Sequence, residues 1–301
     1  MVDTLKGGTT FSPELVTELM NKVKGYSTLA KLSAQTPIPF NGSQQFVFNL
    51  EGNAQIVGEG ETKKPGKATL ESKVIRPTKF VYQARISDEF KYCSEEKQID
   101  YLQAFSDGFA KKIAAAFDLA AIHGLEPKSL TDASFKATNS LDGLVTAVEF
   151  NAKTQFDDQI DSIVQTVAND YDVTGLALSP AAGQALAQIK VNGVVQYPEF
   201  RFGQNPDAFY GMASDVNKTL ATKGATSEND YVIAGDFQNA FKWGYSEEIP
   251  LEVIEYGDPD QTGRDLKANN EVLLRAESFI GWGVLDAKAF ARIKAPAESS
   301  L

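Results

Sequence analysis

Apolar residues repeat at helical spacing most clearly over residues 94–124, where Leu102, Phe105, Phe109, Ile113, Phe117 and Ala120 recur every three or four positions. Such a period places them on one stripe of a helix. Ser94 supplies an N-cap, Glu95 and Glu96 suit the positive end, and Gly124 ends the helix. At 1.5 Å per residue the helix is about 43 Å long, the length of a structural spine. Lys111, Lys112 and Asp118 fall off the stripe. Gly108, at a cost of about 1 kcal/mol relative to alanine, predicts a bend or a close backbone approach.

Before the spine the pattern changes. Residues 45–50 and 73–86 read as strands, and between them residues 51–71 are rich in glycine, glutamate and lysine. This excursion is too polar to pack on a core of its own. A long projecting hairpin loses entropy that solvent does not return, so its ordering partner is expected to be another molecule.

The remaining segments fall into order around these two. Residues 1–12, with Gly7-Gly8 and no periodicity, read as an extended arm. Ser12, Pro13 and Glu14 open a short helix with Leu15, Leu19 and Val23 on one face, ending at Gly25. Thr36-Pro37-Ile38-Pro39 then breaks the chain. Residues 125–151 read as loop. Residues 158–169 form an amphipathic helix through Ile160, Ile163, Val164 and Val167. Residues 175–178 are a short buried strand, Ser179-Pro180 opens a helix through Leu186 and Ile189, and residues 231–235 are a second short strand. This block predicts a compact α/β lobe. Strand-like runs follow at 249–256, 272–280 and 282–285, the last leading into 289–293. A polar loop, residues 257–265, joins the first two as antiparallel neighbours, and residues 295–301 read as a disordered tail.

Composition narrows the function. The chain has 301 residues, 43% hydrophobic and 23% charged, as in soluble globular proteins. No apolar run reaches the length of a membrane span, and no signal-peptide core opens the sequence. Cys93 is the sole cysteine, which excludes an intrachain disulfide and fits synthesis in a reducing compartment. A net charge of -11 argues against holding nucleic acid by bulk charge. His123, the sole histidine, reads as a helix-end or satisfied structural residue. One histidine and one cysteine cannot build a soft-ligand zinc site. Cys93, beside Phe90 and Tyr92, reads as packed and not as a reactive thiolate.

A phosphate loop also fails. Gly60 and Gly66 enclose five residues instead of four, and Ala68 stands where serine or threonine would hold magnesium. Asp157, Asp158 and Asp161 suit a helix N-terminus better than acid–base chemistry. No enzyme, cofactor or metal is expected.

In order, these segments resemble the major capsid protein of tailed bacteriophages, the Hong Kong 97 fold, an α+β architecture. The runs Ala54-Gln55-Ile56-Val57-Gly58-Glu59-Gly60 and Ala84-Arg85-Ile86-Ser87-Asp88-Glu89-Phe90 carry the likeness. So do Ala120-Ala121-Ile122-His123-Gly124, Leu178-Ser179-Pro180, Ile233-Ala234-Gly235-Asp236-Phe237, and the ending from Leu274-Arg275 to Ala289-Phe290. Each motif is loose; their order over nearly the whole chain is specific.

The resemblance implies residues 1–45 as N-terminal arm and lead-in, and 46–86 as an extended loop with its base strands. It implies a peripheral domain at 87–155 with the spine helix, and an axial domain at 156–243. Peripheral strands and loop follow at 244–281, and an axial terminal strand with the tail at 282–301. Subunit contacts would come from Gly58, Glu59, Gly60, Glu61, Lys63, Lys64 and Lys67 on the extended loop. Phe11, Leu15 and Leu19 would contribute from the arm, and Asp258, Asp260, Arg264 and Asp265 from the peripheral loop. The implied assembly is a shell of pentamers and hexamers around double-stranded DNA, held without sequence-specific binding and without a membrane. It would be built in the host cytoplasm with a portal protein and decoration proteins as partners, and its acidic balance suits a genome that must slide.

Some relatives carry an N-terminal scaffolding extension; this chain begins near the arm, so a separate scaffolding protein is expected. Some relatives cross-link a loop lysine to an asparagine. Lys63, Lys64 and Lys67 with Asn269 or Asn270 are the candidates by location, although surface lysines are ordinarily just solvated. An encapsulin-type compartment shell is the alternative of the same fold, and an α/β enzyme is a third reading without a catalytic constellation.

Overall fold

The computed structural model describes residues 25–51, 54, 56–63, 65–92, 95–222, 230–246 and 251–295. The arm, its helix with Phe11, Leu15 and Leu19, Cys93, the Ser94 cap, Lys64 and residues 296–301 lie outside the described residues.

Gly25 and Tyr26 are helical, and after Ser27 comes a helix that the sequence pattern did not announce, α1 (Thr28–Leu32), capped by the Ser27 hydroxyl, which accepts from the Ala30 amide. Strands β1 (Ser43–Glu51) and β2 (Lys67–Ile75) form a two-stranded antiparallel ribbon. The expected strand 73–86 is in fact two. The chain breaks at Arg76-Pro77, so β2 stays with the ribbon while β3 (Pro77–Ser87) joins a different sheet. A proline has no amide hydrogen to continue a ladder, which makes it a natural point for the switch. Residues 67–71, read as part of the polar excursion, belong to β2.

The spine is α2 (Glu95–His123), 29 residues long. Gly124 ends it at φ +63, with the Leu125 amide donating back to the Leu119 carbonyl at 3.2 Å. This is the left-handed cap that glycine adopts without strain. Phe109, Ile113, Phe117 and Ala120 are buried as expected. On this helix Gly108 makes no close approach, and Asp118 is not at the surface. Gly108 is exposed, and a Cβ there would meet nothing within 4 Å, so no close approach explains it. Asp118, set off the apolar stripe, is fully buried, because α1 covers the second side of the spine.

Residues 125–151, expected as loop, contain α3 (Lys136–Asn139), α4 (Leu141–Leu144) and β4 (Ala147–Glu149). Then come α5 (Phe156–Ala168), β5 (Gly175–Leu178), α6 (Pro180–Gln188), the hairpin β6 (Lys190–Val191) and β7 (Val194–Val195), β8 (Ala208–Phe209), β9 (Met212–Val216) and β10 (Asp230–Gly235). Ser179 caps α6 with Pro180 at its first position, as the sequence indicated. The chain closes with β11 (Phe241–Tyr245), β12 (Leu251–Ile254), β13 (Glu271–Val284) and β14 (Phe290–Lys294). The runs 272–280 and 282–285 are one continuous strand.

Two sheets organise these elements. A mixed sheet has the order β4-β14-β10-β5-β9-β8, and an antiparallel sheet has β11-β13-β12 with β3 also paired to β13. Under the second sheet the spine buries Phe117 between Trp243 and Trp282, with ring centroids 5.4 and 5.9 Å away. The lead-in segment enters against this core: the Thr36 amide donates to the Trp243 carbonyl at 2.8 Å. Gly244 permits it, since any Cβ there would overlap the Thr36 carbonyl. A second core lies under α5 and α6, built from Ile160, Ile163, Leu176, Leu186, Phe200 and Ile293 among others.

Candidate assembly surfaces

The β1–β2 ribbon pairs residue by residue from Ser43↔Ile75 to Glu51↔Lys67. Alternation then sorts its faces. Phe46, Leu70 and Val74 share one face; Gln45 with Lys73 and Val47 with Glu71 share the other. The first three side chains are 57, 55 and 57% exposed. A row of large apolar groups on a projecting ribbon marks an interaction surface. Among the described residues the ribbon is anchored at its base, where Ile75 is buried against Gly281 and Gly283 and Lys73 Nζ donates to the Val284 carbonyl at 2.9 Å.

At the tip, Gly58, Glu59, Gly60 and Glu61 form an exposed turn with Gly60 at φ +85. The Glu61 amide donates to the Gly58 carbonyl at 3.2 Å, and the Gly58 amide to Glu61 Oε2 at 3.1 Å. Lys63 is exposed and Lys67 opens β2 opposite Glu51.

The 257–265 loop is organised around a residue that sequence reasoning quoted but assigned no role, Arg85 of β3. Its guanidinium donates to Asp260, to Asp258 at 2.7 Å, to Glu271 at 2.9 Å, to the Thr262 hydroxyl at 2.6 Å and to the Arg264 carbonyl at 3.0 Å. These bonds, with that to Asp260 foremost, raise the Arg85 pKa and hold the Asp260 carboxyl well below the usual carboxylate range. Asp258 and Asp260 thus turn inward on Arg85, while Arg264 is paired to Glu271 at 2.7 Å and Asp265 accepts from the Ala268 amide at 2.9 Å. Asn269 donates its side-chain amide to the Asp265 carbonyl at 2.7 Å, and Asn270 takes a left-handed turn at φ 54.

Two buried polar clusters join the parts that carry these surfaces. In the first, Asp118 of the spine accepts from the Ser27 hydroxyl at 2.6 Å, the Thr28 amide at 3.0 Å, the Leu29 amide at 3.3 Å and the Thr219 hydroxyl at 3.0 Å. Burial pushes its pKa up to about 6 against the pull of those four donors. In the second, His123 is buried and satisfied, the second of the two roles expected for it. Its Nδ1 lies 2.9 Å from Asp142 Oδ2, and its Nε2 donates to the Thr219 carbonyl at 2.9 Å. Arg292 Nη1 donates to both Asp142 and Asp230 at 2.9 Å. His123, Asp142 and Asp230 bring potential ligand atoms within 4.8 Å of one another. The guanidinium already supplies the positive charge that these carboxylates need, and the cluster reads as a structural knot between the spine, α4, β10 and β14.

Its charges are set by its geometry. Burial and the Asp142 charge raise Asp230 well above its ordinary value, whereas Asp142, although burial pushes it up, is lowered by His123 and Arg292. Burial pulls His123 down, but Asp142, Asp230 and the Thr219 carbonyl outweigh it, so its pKa is raised. A group whose pKa is higher folded than unfolded stabilises the fold while protonated. The His123 contribution is therefore complete below its ordinary value of 6.5 and is lost as pH rises through the raised one. The Asp118 contribution has the same sign, complete below 3.8 and lost on passing about 6. The unfolding free energy is expected to decline as pH rises above 6.5 through the raised His123 value, and His123→Gln is expected to flatten that decline. Denaturant titrations at several pH values check this; an unchanged slope in the variant refutes it.

A spine helix against an antiparallel sheet, a mixed-sheet lobe and a projecting ribbon make this a Hong Kong 97-type shell subunit. A solved structure from Mycobacterium phage Ogopogo is similar over 98% of this chain and 97% of that chain, with 29% identity and a TM-score of 0.74. One from Gordonia phage Cozz matches over 90 and 86%, with 26% identity and a TM-score of 0.71. The capsid of a native GTA particle, 13% identical over 99 and 96% with a TM-score of 0.62, shares the fold. A search of curated proteins found no match. The family model for the phage capsid family matches residues 7–295, and the chain belongs to that family. It is a major capsid protein of a tailed bacteriophage with a structural role in the virion capsid, into which it assembles as an oligomer. The encapsulin alternative is not favoured by these matches.

Proposed function

We propose that the chain self-assembles into pentamers and hexamers that close an icosahedral shell around double-stranded DNA. The observation that carries this is the amphipathic ribbon, whose apolar row of Phe46, Leu70 and Val74 is open to solvent in the single subunit. A monomer has no reason to keep such a row exposed. A neighbouring copy that covers it recovers roughly 25 cal/mol per Å² of apolar surface.

In this reading the ribbon and the arm grip adjacent subunits, with Gly58 to Lys67 as the reaching tip. The spine and the antiparallel sheet form the peripheral domain. The mixed-sheet lobe is the axial domain. Asp258, Asp260, Arg264 and Asp265 sit on the loop that faces neighbours, and the Arg85 hub holds that loop in shape. The subunit acts mechanically and not as an enzyme. Its partners are a portal protein, a separate scaffold, decoration proteins and packaged DNA held without sequence readout, with assembly in the host cytoplasm. Among the described residues no helix is long and apolar enough to cross a membrane.

Negative-stain microscopy of the expressed chain tests this. Closed particles of uniform size are the expected result. A chain that stays monomeric at high concentration with its ribbon ordered, or small shells filled by an enzyme, would overturn it.

A further inference from the structure

The α/β lobe carries a second surface that no described residue covers. Between the end of α6 and the segment Pro198–Gly203 lies an open cleft of about 410 Å³, lined by Gln184, Ala187, Gln188, Lys190, Arg201 and Phe202. Phe202 is 91% exposed and adopts φ 59, ψ 27. That left-handed conformation is disfavoured for a bulky L-residue. The segment therefore holds a large aromatic ring outward against both sterics and solvent, and strain of this kind concentrates where a surface has a task. The Arg201 guanidinium lies 5.2 Å from the ring centroid. Neither Lys190 nor Arg201 forms an ion pair with a described residue. On a chain of net charge -11, two unpaired cations beside an outward aromatic ring are a patch of the minority sign. Arginine and aromatic residues are the types that anchor interfaces.

The complementary surface stands elsewhere on the same lobe. Asp158 and Asp161 of α5 are exposed, three residues apart and so on one helical face. Neither has a cationic partner among the described residues. The two surfaces lie on neighbouring helices, which touch each other and both pack on β10. The α6 side covers β9 and β8, with Gly183 facing Val216 and Phe200 packed on Phe209 at 5.3 Å. Helix α5 packs over β10 and β14. A positive surface and a negative one, displaced across one body, join copies head to tail, and such heterologous contacts close into rings when the rotation permits.

We propose that the Lys190–Arg201–Phe202 cleft receives the Asp158–Asp161 face of α5 from a second copy of this chain. This rests on the shell-forming reading above and names the contact by which neighbouring lobes recognise each other. The electrostatic part sets register and suppresses wrong partners, and the ring of Phe202 fills the dry centre.

Charge reversal tests it. Lys190→Glu with Arg201→Glu, and separately Asp158→Lys with Asp161→Lys, are each expected to lower particle yield roughly tenfold or more, because like charges then face each other. Unfolding curves should stay near the parent, since all four side chains are at the surface. Combining the four substitutions should restore particles, measured by sedimentation and negative stain. Phe202→Ser, which touches no core, should also lower the yield. Parent-like yield from either reversed pair or from Phe202→Ser overturns the proposal. Failure of the combined variant to recover overturns it too, because another partner would then occupy the cleft. Absence of particles from the unaltered chain would instead overturn the shell reading.

Discussion

Replacing Asp118 with alanine is expected to destabilise the subunit by about 3–5 kcal/mol, the cost of breaking a buried hydrogen-bonded charge site. Four donors converge on this carboxylate: the Ser27 and Thr219 hydroxyls and the Thr28 and Leu29 amides. Each buried donor left unpaired costs about 1–3 kcal/mol. Alanine also removes the expense of burying the carboxylate, which is why the effect is smaller than four separate losses. Domain stabilities are only about 5–15 kcal/mol, so much of the variant should be insoluble when expressed. Denaturant unfolding of the soluble fraction gives the number. Asp118→Asn keeps the volume but sets an NH2 group against converging donors, and should fall between alanine and the parent. A midpoint equal to the parent for Asp118→Ala would remove Asp118 as the latch between spine and α1.

Deleting Gly58 to Lys67 should abolish particle formation and leave the subunit folded. Among the described residues, bonds between Gly58 and Glu61 close the tip turn, and none of the tip residues belongs to either core. The six residues 52–57 remain to reconnect β1 to Ala68, about the length of an ordinary hairpin loop. Thermal unfolding should shift little while sedimentation shows only small species. A folded deletion variant that still forms shells would show that the tip is dispensable, and an unfolded one would show that it serves the subunit core.

The contrast between these variants follows what each site draws on. The ribbon was legible in the sequence because its signals are local: alternation through Phe46, a polar glycine-rich tip, and no apolar partner nearby. The spine was legible for the same reason, through the period of Phe109, Ile113 and Phe117. The burial of Asp118 was not legible, because a helical stripe shows only the face that one apolar partner covers. The spine is covered on a second side by α1, whose contact with it spans about ninety positions of sequence. Arg85 stood in a quoted run, yet its acceptors Asp258, Asp260 and Glu271 lie more than 170 positions away. The split of the run 73–86 was signalled by Pro77, but only the pairing of β3 with β13 shows that the two halves serve different sheets.

The amino-acid sequence by itself determined the order of parts: a strand pair bearing an unsupported tip, a long helix, an α/β lobe and closing strands. With one histidine and one cysteine, it also excluded a zinc site built from several such ligands. These are statements about local periodicity and composition, which neighbours in the chain suffice to set. The tertiary structure alone decided which charges are buried and with whom. His123, Asp142, Asp230 and Arg292 come from four separate segments, and their protonation depends on distances near 3 Å that no spacing encodes. It likewise decided that the Asp258–Asp260 loop folds back on Arg85, and that Phe202 points outward. Electrostatic energy and desolvation depend on three-dimensional neighbours, whereas hydrophobic periodicity survives projection onto a line.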